Sequence, residues 1–319
     1  VRVAFVGKGG SGKTTLSALF AGRLARSGAP VLALDGDINQ HLAHALGLPE
    51  EESFGAPPLS ARTGEIKDFL RGSNPRIASR ETMLKTTPPG HGSRLLRLLG
   101  DDEIHARHVR EVAGVPLMVT GAFAEEDLGV ACYHSKLGAV ELYLNHLVDG
   151  PGEYVVVDMT AGADAFASGL FTRFDMTFLV VEPTRKSVSV LRQYREHAAE
   201  FGVPVGVVGN KVTGEDDLLF LKRHVGDDLL AYCPHSAHVR AQEQGRPHDG
   251  PEPALLGALD ALRGAVDARP KDWETFQRHA VEFHLRNAAA WGDRATGTDL
   301  AAQVDPSFRH GPAALRAAR

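Results

Sequence analysis

Cysteine is nearly absent from this chain: only Cys132 and Cys233 occur in 319 residues. So few thiols exclude a disulfide framework and make a reducing cytoplasm the expected setting. Long apolar runs are missing as well. No stretch approaches the ~18 residues that a spanning helix needs, so no membrane span is expected. Neither sign of charge dominates, since 35 Lys and Arg stand against 40 Asp and Glu, a formal net charge of −5. That balance argues against a general coat of nucleic acid or anionic lipid, and no nucleic-acid partner is expected. There is no internal repeat, no low-complexity block, and no basic-then-apolar leader ahead of the first motif. The 15 histidines are scattered and read as surface or packing residues. What remains, 43% hydrophobic and 24% charged residues, is ordinary for a soluble globular protein. The length suits one large α/β domain with an appendage.

Apolar runs that end in glycine or acid mark the strands. Val1–Val6 stops at Gly7, Val31–Leu34 at Asp35, and Tyr154–Val157 at Asp158. Val115–Val119, Met176–Val181, Val203–Val208 and Asp228–Tyr232 follow the same pattern. Helical periodicity fills the intervals at Thr14–Arg26, Ser135–Leu147, Ser187–Phe201, Asp216–Val225 and Ser236–Gln244. This alternation predicts an α/β fold with a mostly parallel central sheet and flanking helices. Polar and glycine residues gather at the C-terminal strand ends, where such sheets bind ligands. Residues 50–112, with PPLSARTG and TTPPGHGS, read as an irregular insertion or lid within a domain spanning 1–264. Residues 265–319 read as a helical C-terminal extension, with Trp273, Phe276, Ala280, Phe283, Asn287 and Trp291 near one stripe.

Residues 7–15 read GKGGSGKTT and contain the full G-x-x-x-x-G-K-[ST] phosphate-loop pattern. Gly7, Gly9, Gly10, Ser11, Gly12 and Thr15 form the cradle, in which backbone N–H groups turn toward phosphate oxygens. Lys13 reaches the β- and γ-phosphates, and the Thr14 hydroxyl ligates Mg²⁺. Asp37, in the turn DGDIN, could orient or deprotonate an attacking water, while Asp35 could support Mg²⁺ through water. A solvated turn is the plainer reading of both. Asp158 ends an apolar strand in a Walker-B-like pattern and would hold Mg²⁺ or its water.

Lys8 is not required by that cradle. With it, the loop resembles those of the deviant-Walker-A ATPases, which read KGGxGKT. These include the MinD/ParA positioning ATPases, the nitrogenase iron protein, the arsenite-pump ATPase and the CooC-type nickel-insertion ATPases. The resemblance covers roughly residues 1–250. It implies that Lys8 contacts the partner subunit's phosphates in an ATP-dependent homodimer, so that catalysis needs dimerisation. It also implies that Asp37 is the water-activating aspartate. The stretch Thr160-Ala161-Gly162 matches the family's γ-phosphate switch, with Gly162 allowing close approach. The guanine signature N-K-x-D is incomplete at Asn210-Lys211-Val212-Thr213, which favours ATP over GTP. Asn210, Lys211 and Pro234 match base-contacting positions, whereas Cys233 reads as a small apolar loop residue.

The segment GVACYH places Cys132 and His134 just before a helix. CooC-type proteins carry a metal-binding Cys-x-Cys pair at this place, and here His134 stands at the second position. One thiolate and one imidazole from each of two subunits would give a Cys₂His₂ set suited to Zn²⁺ and able to hold Ni²⁺. The alternative is that Cys132 packs at a helix start and His134 caps it or faces solvent. An iron–sulfur role lacks the second cysteine it would need after the switch aspartate. Two functional classes stay open: a metallochaperone or maturation ATPase with a client enzyme, and a positioning or regulatory ATPase whose dimer binds a partner or surface. A bare P-loop ligase or kinase fits Lys8 and DMTAG less well.

Overall fold

The computed structural model describes residues 1–37, 39–122, 133–159, 166, 169–247 and 249–317, with backbone alone at 133–135 and 316–317. Ten strands occur among them: β1 (Arg2–Gly7), β2 (Val31–Gly36), β3 (Leu96–Arg97), β4 (Arg110–Val112), β5 (Val115–Val119), β6 (Leu147–Val148), β7 (Tyr154–Met159), β8 (Met176–Val181), β9 (Val205–Val212) and β10 (Leu229–Pro234). Eight of them form one sheet in the order β10-β9-β8-β1-β7-β2-β5-β4, and β3 pairs with β6 apart from it. Every pairing in the large sheet is parallel except the hairpin between β4 and β5. The expected architecture is therefore the observed one. The phosphate-loop strand β1 lies mid-sheet between β7 and β8.

Both faces of the sheet are covered, which is why its strands read as unbroken apolar runs. Val3, Phe5, Ala33, Val156 and Phe178 point to one face. There they meet α1 (Lys13–Arg26), α2 (Leu42–Leu46) and α9 (Pro253–Asp267). The rings of Phe5, Phe20 and Phe178 make a triad with centroids 5.2–6.0 Å apart. Ala4, Val6, Leu34, Val157 and Leu179 point to the other face. That face carries α3 (Thr63–Arg71), α4 (Glu103–His108), α5 (Tyr133–His146), α6 (Arg185–Glu200) and α7 (Glu215–Val225). The seven-residue α8 (Ala237–Glu243) follows β10, and α10 (Trp273–Asn287) opens the C-terminal region.

β9 runs four residues beyond its expected end, through Gly209, Asn210 and Lys211 to Val212. Glycine reads as a strand terminator, but here it makes room for close packing. A Cβ on Gly206 would lie 2.2 Å from Leu230 Cδ1, and one on Gly209 would lie 2.6 Å from Leu221 Cδ1. Residues 50–112 hold two helices and short strands, and their Leu59, Ile66, Leu70, Ile77 and Met83 join the core that backs the sheet. The C-terminal region covers part of this segment: Leu84 packs with Ala288 and Leu300, and Asp305 accepts from the His91 amide at 3.1 Å. Among the described residues no helix is long and apolar enough to cross a membrane.

Candidate functional site

The phosphate loop turns on three glycines with different tasks. Gly10 and Gly12 have φ of +85° and +92°, which a side chain would strain. Gly7 has no room for a Cβ, which would fall 2.6 Å from both Ser11 Oγ and the Val180 carbonyl oxygen. Lys13 and Thr14 open α1 and so project their side chains at the sheet edge. Lys8, on the same loop, is half-buried.

Three acids meet this loop. The Lys13 ammonium pairs with Asp37 Oδ2, and the Thr14 hydroxyl donates to Asp158 Oδ2 at 2.6 Å. Asp35 and Asp158 stand opposite each other in register across β2 and β7, both fully buried. Burial, with the Asp158 charge behind it, pushes the Asp35 carboxyl up to about 8. Burial raises Asp158 to about 6, partly offset by Lys13 and Thr14. Asp35 spends both oxygens on the loop backbone, accepting from Asp37 N at 3.1 Å and Leu42 N at 2.9 Å. It therefore shapes the turn that presents Asp37. Asn39 finishes that turn, donating from both its backbone and side-chain nitrogens to Asp37 Oδ1 at 3.0 Å.

Two buried oxygens at the centre, Asp158 Oδ1 and Ser11 Oγ, have no hydrogen-bond partner among the described residues. Such orphans are costly unless a ligand uses them. Thr14 and an under-satisfied carboxylate beside a phosphate loop fit Mg²⁺, which takes one or two protein oxygens and completes its shell with phosphate and water. No group of three or more His, Cys, Asp or Glu that could hold a metal occurs among the described residues.

A cleft of about 650 Å³ runs from the loop to α8. Lys13, Thr14 and Asp37 line it together with Asn210, Pro234 and Val239. Asn210 Nδ2 donates to the Ser11 carbonyl at 2.7 Å. Lys211, in a left-handed conformation at φ 58°, donates from Nζ to the Gly10 carbonyl at 2.6 Å and pairs with Glu182 at 2.8 Å. Both residues thus brace the loop from β9. Cys233 is buried and its thiol is pushed up to about 12 by burial, which matches the packing role read for it.

Lys13, Thr14, Asp37, Asn210, Lys211 and Pro234 line one cleft, while Asp158, bonded to Thr14, and Asp35, bonded to the Asp37 amide, are buried beside them. Cys132 and Gly162 lie outside the described residues, and of His134 only the backbone, in the first turn of α5, is described. Sequence reasoning missed Asn39 and Glu182. Asn39 stood inside the quoted turn, two residues from Asp37, and that proximity was the available signal. Glu182 follows the last residue of β8 and gave only a strand-end acid.

The family model described as the CobQ/CobB/MinD/ParA nucleotide binding domain matches residues 3–248. The carbon monoxide dehydrogenase accessory protein CooC of Rhodospirillum rubrum is 28% identical over 246 residues, 76% of this chain and 87% of that protein. An uncharacterised ATP-binding protein of Methanocaldococcus jannaschii is 28% identical over 252 residues, 77% of this chain and 90% of that one. In fold, the chain is similar to the cell division ATPase MinD of Pyrococcus furiosus, with a TM-score of 0.53 at 16% identity, covering 83% of this chain and 98% of that one. With a family model matched over most of its length, the chain belongs to the CobQ/CobB/MinD/ParA nucleotide-binding domain family.

Proposed function

We propose that the protein is a Mg²⁺-dependent ATPase that works as a dimeric switch. The observation that carries this reading is the Lys13–Asp37 pair beside the Thr14–Asp158 bond, at the phosphate end of the cleft. Phosphate oxygens compete with Asp37 for the Lys13 ammonium. Once Lys13 turns to them, Asp37 is left free to accept a proton from water. The water oxygen bonds to the γ-phosphorus as the bond to the bridging oxygen breaks, giving ADP and phosphate. Thr14 and Asp158 would hold Mg²⁺, which would supply charge neutralisation to the phosphates. Asn210 and Pro234 flank the base, and Lys8 reaches the phosphates of a second copy.

For the use of the ATP, the relative CooC favours a maturation role. In that reading Cys132 and His134 of two subunits hold a transition metal, Zn²⁺ or Ni²⁺, as cargo for a client enzyme. The positioning reading has less support from α10, whose exposed side mixes Glu274, Arg278, Glu282 and Arg286 instead of presenting a basic face.

One preparation tests both levels. Wild type should hydrolyse ATP with Mg²⁺, and Asp37→Asn should bind ATP but lose on the order of 100-fold in kcat, the range for a missing proton acceptor. Metal analysis should find a transition metal that Cys132→Ala lacks. Unchanged turnover in Asp37→Asn contradicts the first level, and wild type without metal above background contradicts the second.

A further inference from the structure

The family model ends at residue 248, but the cleft does not end there. Leu255, in the first turn of α9, is buried and lines the cleft beside Leu16, Leu19 and Val239. Three residues earlier, Glu252 closes on the loop that carries Pro234. Its Oε2 accepts from the Ser236 hydroxyl at 2.7 Å. Its Oε1 accepts from Ala237 N at 2.8 Å and from His238 N at 3.1 Å. Ser236 Oγ in turn accepts from Val239 N at 3.0 Å. On the other side of the loop, His235 N donates to the Val212 carbonyl at 3.0 Å. The wall facing the phosphate loop is thus pinned at one end by the sheet and at the other by a single carboxylate. Burial alone would raise the Glu252 carboxyl, but the hydrogen bonds from Ser236, His238 and Ala237 outweigh it and hold the group well below the usual carboxylate range. It is a charged acceptor near neutral pH.

We propose that Glu252 is a positioning residue for the nucleotide base, acting through Ser236, Ala237 and His238 to hold Pro234 and Val239 against Leu255. Affinity for the base depends on it, and affinity for the phosphates does not. The inference rests on the ATP reading given above. It also extends the site past residue 248, where the match to the family model ends.

The test uses the full chain and compares Mg²⁺-ATP with inorganic tripolyphosphate, which has the phosphates but no base. Glu252→Ala should weaken ATP binding and raise KM about 5-fold, the equivalent of one lost helix-capping group. It should leave kcat and tripolyphosphate binding unchanged. Glu252→Gln keeps one acceptor oxygen and should lose less. Asp260→Ala removes the exposed Arg23–Asp260 pair that ties the same helix α9 to α1, so it reports general loosening of α9 and should leave ATP binding alone. Equal losses for ATP and tripolyphosphate would overturn the inference, as would an Asp260→Ala loss as large as that of Glu252→Ala. Unchanged ATP affinity in Glu252→Ala would overturn this inference alone. Failure of wild type to bind ATP would overturn the nucleotide reading and this one with it.

Discussion

Two buried charge clusters sit at opposite edges of the same sheet, and they are balanced differently. At the C-terminal edge, Asp37 and Asp158 share one ammonium, that of Lys13, and Asp35 lies level with Asp158. Asp158 Oδ1 is an orphan, and two of the three carboxyls are pushed upward. At the N-terminal edge, Asp149 is saturated. It accepts from Arg2 Nε at 2.7 Å and from Lys271 Nζ at 2.7 and 2.8 Å, and these cations hold it well below its ordinary value against the cost of burial. The remaining Arg2 nitrogens reach the Leu144 and Leu147 carbonyls, and its guanidinium lies 4.5 Å over the Phe276 ring. Lys271 also pairs with Asp175 at 2.9 Å. The saturated cluster fastens the C-terminal region to β1. The unsaturated one carries an excess of negative charge that a divalent cation would relieve. Spare charge marks a site, whereas matched charge marks a joint.

This contrast can be broken from either end. Replacing Asp149 by Asn leaves Arg2 and Lys271 buried without their shared carboxylate, at a cost of about 3–5 kcal/mol. Thermal unfolding should drop by roughly 10 °C for a protein of this size. ATP affinity of the folded fraction should hold, and a variant as stable as wild type would remove the joint.

A smaller effect sharpens the other end. The folded-state carboxyls of Asp35 and Asp158 lie at about 8 and about 6, above their ordinary 3.8. Between those limits the native state binds more protons than the unfolded one, so stability falls as pH rises. Asp149 has the opposite sign, since its contribution is present above 3.8 and is lost only in stronger acid. Denaturant midpoints of metal-free protein at pH 6.5 and 8 should therefore decline, and Asp35→Asn should flatten the decline. Subtracting the two removes the histidines, including His146, which burial pushes down to about 4. A decline equal in the variant would assign the slope elsewhere.

The two clusters also differ in how far the sequence reveals them. The phosphate end was legible because GKGGSGKTT is contiguous and because Asp35, Asp37 and Asp158 each end or follow an apolar strand. Parallel β7 and β2 then bring Asp158 level with Asp35, as strand order alone can do. The other cluster was not legible. Arg2, Asp149, Asp175 and Lys271 are single charges far apart in the chain, and no local pattern separates them from solvated ones. Glu252 is hidden in the same way, since a carboxylate after a proline-containing turn looks like surface. Residues 50–112 read as irregular because α3 and α4 are short, at 9 and 6 residues, and expose only a few apolar positions each to periodicity.

The central claim is that this loop belongs to a dimeric ATP switch in which Lys8 acts across the interface. Its most direct test is the oligomeric state of wild type and Lys8→Ala by sedimentation, with Mg²⁺ and either ADP or a non-hydrolysable ATP analogue. Wild type should be monomeric with ADP and dimeric with the analogue, and Lys8→Ala should stay monomeric while still binding nucleotide. A Lys8→Ala protein that dimerises with the analogue and hydrolyses ATP at the wild-type rate would contradict the account.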